Sequence, residues 1–134
     1  MILCSGVFDG LHAGHVAYLR AASQWAPTER LVVAVACDDY VRRVKGREPF
    51  WGLEERMRVV EALSMVDRVV RHDESGVANV VLELHPRSLI KGADWTGSLL
   101  DDVMRACFEV GASVVLVPEV SVKHTHELSA LCAG

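Results

Sequence analysis

The stretch GVFDGLHAGH, from Gly6 to His15, brings an acid, two histidines and three glycines into ten residues directly after a short apolar run. His12 and His15 are three residues apart. At the start of a helix that spacing puts both imidazoles on one side of the first turn, where their N–H donors reach the same phosphate group, and Gly14 between them leaves room for it. Gly6, Gly10 and Gly14 permit tight backbone paths and close approach to a ligand. A helix beginning near Gly14 adds backbone N–H groups and a positive dipole end for an anion. Asp9 has two readings: a turn or helix cap, or a carboxylate ligand of Mg²⁺ bridging phosphates. Two surface histidines near a helix start are the bland alternative. A metal-dependent hydrolase centre made of Asp9, His12 and His15 is another, but such close clustering suits anion binding better than a full metal shell.

The elements that must position these residues follow from periodicity. Short β-branched runs alternate with segments of helical period, the pattern of βα units on a parallel sheet, so the class is α/β. Strands are expected at Ile2 to Ser5, Leu31 to Cys37, Val66 to Arg71, Ser88 to Lys91 and Ser113 to Val117. Helices are expected at Gly14 to Trp25, Leu53 to Leu63, Val77 to Leu84, Leu99 to Val110 and Thr125 to Cys132. Continuous runs such as LVVAVA and SVVLV suit strands covered on both faces, giving a three-layer Rossmann-like fold with a five-stranded parallel sheet. The first motif then leaves strand one at the sheet's carboxyl edge, where open parallel sheets bind ligands. Val41 to Gly52, basic and broken by Pro49, reads as a mobile loop near the site.

The 134 residues match one compact domain, and 51% apolar with 24% charged residues is a globular composition. The net charge of −4 comes without a basic block, which argues against a nucleic-acid partner. No window reaches the apolar length of a membrane span, and Met1 runs into a strand without a leader pattern, so a cytoplasmic protein without a membrane partner is expected. Cys4, Cys37, Cys107 and Cys132 stand singly, without CxxC spacing, and read as reduced, buried small hydrophobes.

GVFDGLHAGH resembles the GxFDxxHxGH signature of the cytidylyltransferase-like nucleotidyltransferases. It also resembles the HIGH motif of class I aminoacyl-tRNA synthetases, but the chain has no room for a tRNA-binding domain and no KMSKS-like segment. VAVACDDYVRRVKGREPF is similar to the second strand and basic loop of the nucleotidyltransferase family, and LEERMRVVEAL to its following helix. IKGADWTG resembles two branches at once: the KGGD segment of ADP-heptose-forming adenylyltransferases and the GDDWxG segment of glycerol-3-phosphate cytidylyltransferases. GADWTGS lacks the lysine a P-loop needs after its second glycine.

The resemblance implies a nucleotide pocket lined by Gly6, Val7, Phe8, Asp9, Gly14, Gly92 and Asp94, with His12, His15, Lys45 and Lys91 as catalytic residues and Mg²⁺ held near Asp9. It further implies transfer of a nucleoside monophosphate from CTP or ATP to a small phosphorylated polyol or sugar, and a homodimer. The Asp-Trp-x-Gly spacing and the short stand-alone chain lean towards CTP; Lys91 in KGAD leans towards the sugar-phosphate adenylyltransferases. The tail departs from the family. Where relatives read RTEGISTT this chain reads EVSVKHTH, with Glu119 at the arginine position and only Thr125 kept. Lys123, His124 and Thr125 are the expected substitutes on the nucleotide phosphates. The Glu119 change keeps open a second class of function, a nucleotide-binding module without turnover.

Overall fold

In the computed structural model, which describes residues 1–93 and 100–118, the chain runs β1 (Ile2–Gly6), α1 (Ala13–Trp25), β2 (Leu31–Ala36), α2 (Asp38–Lys45), α3 (Leu53–Glu61), β3 (Arg68–His72), α4 (Ala78–Leu84), β4 (Ser88–Gly92), α5 (Leu100–Val110) and β5 (Ser113–Val117). The strands form one parallel sheet in the order β3-β2-β1-β4-β5. The expected α/β class and five-stranded parallel sheet are therefore present. Alternation along β1 feeds two cores. Ile2 and Cys4 pack with Leu19, Val33, Leu53 and Val60 on the face covered by α1 and α3. Leu3 packs with Val32, Ala34, Val81 and Val103 under α4 and α5.

Three expectations change. LVVAVA is buried throughout, but β5 is an edge strand on which Ser113 and Leu116 are exposed, because it has a neighbour on one side only. Residues 41–45, expected in a loop, belong to α2. That helix buries only Val41 and so carries no apolar stripe. It is held by its ends instead: Cys37 Sγ accepts from the Tyr40 amide at 3.4 Å, Asp38 and Asp39 occupy the first turn, Arg42, Arg43 and Lys45 the last, and Gly46 closes it with φ +69°. Capping also explains the third change, since Cys37 is only half-buried whereas Cys4 and Cys107 are buried thiols. Burial pushes the Cys4 thiol up to about 12. The helix expected over Thr125 to Cys132, with Cys132 itself, lies outside the described residues. Among the described residues no helix is long and apolar enough to cross a membrane.

One feature of the sheet positions the site. The β1–β2 register runs on to Gly6 opposite Val35, and β4–β5 to Gly92 opposite Val117, but β1–β4 pairing ends at Cys4 opposite Ile90. The two central strands part at their carboxyl ends. The strand order reverses there, and this is where the first motif begins.

Candidate functional site

The turn after β1 is built around an aromatic ring. Phe8 is buried with φ +53°, a left-handed conformation uncommon for a non-glycine residue, and Gly10 follows at φ +82°. A Cβ on Gly6 would stand 2.9 Å from the Phe8 ring, so only glycine fits beneath it. The chain then enters α1 at Ala13 through a reciprocal cap in which both histidines take part. His12 Nδ1 accepts from the Gly14 amide at 3.0 Å, and His15 Nδ1 accepts from the His12 amide at 3.2 Å. The rings stack with centroids 3.8 Å apart, and the Phe8 ring meets His15 edge-on at 5.3 Å.

This cap assigns the tautomers. A ring nitrogen that accepts from a backbone N–H carries no proton of its own, so in the neutral imidazole the N–H lies on Nε2. Both rings thus keep a donor on the nitrogen away from the backbone. Gly14 contributes differently from expectation: its N–H serves the His12 cap.

Asp9 is buried. Its Oδ2 accepts from the Phe50 amide at 2.7 Å and from Arg47 Nη1 at 2.9 Å, and its Oδ1 from the Trp51 amide at 2.8 Å. Burial raises its pKa, but these donors outweigh it and hold the carboxyl below its ordinary value. Three N–H donors, one of them cationic, thus engage both oxygens of the carboxylate. Among the described residues no group of three His, Cys, Asp or Glu side chains gathers to hold a metal. What Asp9 does is tie the 47–51 segment to the first motif.

A second buried charge completes that tie. Arg56, on α3, is 1% exposed. Its Nε donates to the Trp51 carbonyl at 2.8 Å, its Nη1 to the carbonyls of Val7 and Ala36 at 2.8 and 2.7 Å, and its Nη2 to Asp38 at 2.7 Å. One guanidinium therefore joins the first motif, the end of β2, the start of α2 and the 47–51 segment. Its planar fork of five donors is what allows this.

Across the crevice, Lys91 reaches from β4 to β1, its Nζ 2.9 Å from Ser5 Oγ and 3.5 Å from the Ser5 carbonyl. Gly92 ends β4 beside it, half-buried. The structure thus gathers Gly6, Val7, Phe8, Asp9, His12, Gly14, His15, Lys91 and Gly92 at one end of the sheet. Lys45 is exposed on the last turn of α2, and the basic residue that reaches the first motif is Arg47, two positions on. Asp94, Lys123, His124 and Thr125 lie outside the described residues, as does Glu119. Sequence reasoning missed Arg47, Arg56, Ser5 and Tyr18. Arg56 left a signal: it sits between Leu53 and Val60 on the buried stripe of α3, where a charge is out of place without partners.

Comparison with known proteins places the chain in a family and a fold. A family model described as cytidylyltransferase-like matches residues 3–130. The bifunctional protein HldE of Halorhodospira halophila is 40% identical over 133 residues, 97% of this chain and 27% of that protein. HldE of Blochmanniella floridana is 46% identical over 96 residues, 71% of this chain and 20% of that protein. The chain therefore spans a quarter or so of the length of these curated relatives. Among solved structures, a lipopolysaccharide core biosynthesis protein from Thermoplasma volcanium is similar with a TM-score of 0.73 and 27% identity, over 91% of this chain and 97% of that one.

Proposed function

The chain belongs to the cytidylyltransferase-like family, and on that footing we propose that it is a nucleotidyltransferase moving a nucleoside monophosphate from a triphosphate to a phosphorylated sugar. The donor assigned is ATP. The similarity to HldE proteins and to a lipopolysaccharide core biosynthesis protein supports the sugar-phosphate adenylyltransferase branch, in agreement with Lys91 in KGAD, over the CTP preference drawn from the Asp-Trp-x-Gly spacing.

In this reaction a phosphate oxygen of the acceptor attacks the α-phosphorus in line. The new P–O bond forms as the bond to the bridging oxygen breaks, and pyrophosphate leaves with that electron pair. No enzyme nucleophile is needed, so catalysis is positioning and charge neutralisation. His12 and His15 donate through Nε2–H to phosphate oxygens on which charge builds. Lys91 supplies a donor from the opposite wall of the crevice. Mg²⁺, when bound with the triphosphate, would offset the charge of the phosphates. Asp9 and Arg56 hold the first motif and the 47–51 segment in place.

The observation that carries this reading is the reciprocal cap, because it orients two Nε2–H donors side by side at a helix start. The test is pyrophosphate release from ATP and from CTP with a panel of phosphorylated sugars and polyols. Release with ATP and a sugar phosphate is expected. Release with CTP alone would return the assignment to the polyol branch. A rise in melting temperature with nucleotide but no release would leave a binding module without turnover.

A further inference from the structure

The β1–β4 ladder stops at Cys4 opposite Ile90. At this last pair the Tyr18 hydroxyl enters from α1, accepting from the Ser5 amide at 3.4 Å and donating to the Ile90 carbonyl at 2.5 Å. The phenol oxygen braces both strands next to the point where they part. Burial, then the neighbouring Cys4 thiol, hold the Tyr18 pKa well above its ordinary value of 10, so the group remains an O–H donor. Cys4 and Ile90 beneath it are fully buried, and Ser5 nearly so.

The positions of its neighbours give this brace a consequence. Tyr18 is three residues after His15, so ring and imidazole share one face of α1. Ser5, which the hydroxyl holds by its amide, is also the residue whose Oγ receives Lys91 at 2.9 Å. One side chain thus spans the two strands, carries the helix with the histidine pair, and sits next to the lysine's anchor.

We propose that Tyr18 is a positioning residue whose hydroxyl braces the last β1–β4 pair and thereby fixes the placement of Lys91 relative to His12 and His15. The proposal rests on the nucleotidyltransferase reading of this site. Without the hydroxyl the ring still fills its place, but the Ser5 amide and Ile90 carbonyl lose their shared partner. The end of the β1–β4 pairing is then held less firmly, and Lys91 shifts with β4. In a reaction catalysed by placement, a displacement of that kind lowers turnover without removing any group that touches substrate.

The experiment compares wild type, Tyr18→Phe, Lys91→Ala and the double variant by kcat, KM for ATP and melting temperature. It adds the Nζ resonance of Lys91 in protein labelled with ¹⁵N-lysine, assigned by its loss in Lys91→Ala. Tyr18→Phe is expected to stay folded, to move the Lys91 resonance, and to lower kcat roughly tenfold with little change in KM. Added to Lys91→Ala it should cost less than about twofold more, since the two act through one arrangement. An unchanged kcat and an unmoved resonance would overturn the proposal. So would a drop of equal factor with and without Lys91, the mark of a merely structural loss. Should the wild type release no pyrophosphate with any acceptor, the nucleotidyltransferase reading fails, and the resonance alone decides: a shift in Tyr18→Phe supports the positioning role and no shift refutes it.

Discussion

Two sets of polar side chains meet at the carboxyl end of the sheet, and they are satisfied in opposite ways. On the β2 side, Asp9 and Arg56 spend their hydrogen bonds on the protein: the carboxylate on Phe50, Trp51 and Arg47, the guanidinium on Trp51, Val7, Ala36 and Asp38. On the β4 side, His12 and His15 accept backbone N–H groups at Nδ1, and Lys91 donates to Ser5. Both sets carry charge or titratable nitrogen, and both sit beside the same turn. Burial separates them: Asp9 and Arg56 are buried and must be paired, whereas His12, His15 and Lys91 are half-buried. On the proposed function, the first set is scaffold and the second is the reacting surface.

This division breaks most easily at Arg56. Arg56→Met should cost about 3–5 kcal/mol of stability, because Asp38 loses its buried partner and three carbonyls lose their donor. Denaturant unfolding measures it, and a midpoint close to wild type would mean the hub holds nothing together.

The histidines should respond in the opposite way. His12→Ala or His15→Ala is expected to lower kcat by about 10²-fold or more while the protein remains folded. His12→Asn sharpens the contrast, because asparagine restores a good N-cap without restoring Nε2–H. The expected result is a melting temperature near wild type with turnover still low. Recovery of turnover in the asparagine variant would assign His12 to the scaffold set.

Smaller effects probe the turn that joins the two sets. Gly6→Ala drives a methyl group against the buried Phe8 ring at 2.9 Å and should cost about 1–3 kcal/mol. A neutral result in thermal unfolding would show that the ring can move aside. Asp9→Asn should cost about 1–2 kcal/mol, since an amide offers one acceptor oxygen where two are used. Protease cleavage within 47–51 should rise with it, and an unchanged digestion pattern would detach Asp9 from that segment.

The smallest expected effect lies at the carboxyl end of β3. His72, buried at the end of β3 with its ring against Tyr40, is held below its ordinary value of 6.5 by burial. The unfolded chain then binds a proton that the folded chain resists, so stability is lost as pH falls below 6.5 and is fully present above it. His72→Phe keeps a ring against Tyr40 and should flatten the fall in melting temperature between pH 7 and 5 relative to wild type, as measured at matched ionic strength. Parallel curves would show that His72 contributes nothing to acid sensitivity.

How much of this was legible in the sequence depended on whether the signal was local. Ile2 to Ser5 and LVVAVA read as strands because β-branched runs buried on both faces need no partner to be recognised. His12 and His15 were legible because a three-residue spacing at a helix start fixes their side in advance. Helix α2 was missed for the converse reason: with only Val41 buried it has no periodicity, and its evidence lay in its ends, from Cys37 to Gly46.

The sequence by itself determined the class, the parallel sheet, the place of the first motif and the two histidines, since each follows from spacing along one stretch of chain. Tertiary structure alone decided that Asp9 holds a segment 38 or more residues away, that Arg56 joins four separate pieces of backbone, and that Arg47 is the residue reaching the motif. It likewise decided that the Tyr18 hydroxyl stands between Ser5 and Ile90, 72 residues apart from the latter. The physical reason is that a hydrogen bond is set by which groups folding brings within about 3 Å of one another. Periodicity tells which side of an element is buried, and only the packed fold tells what waits there.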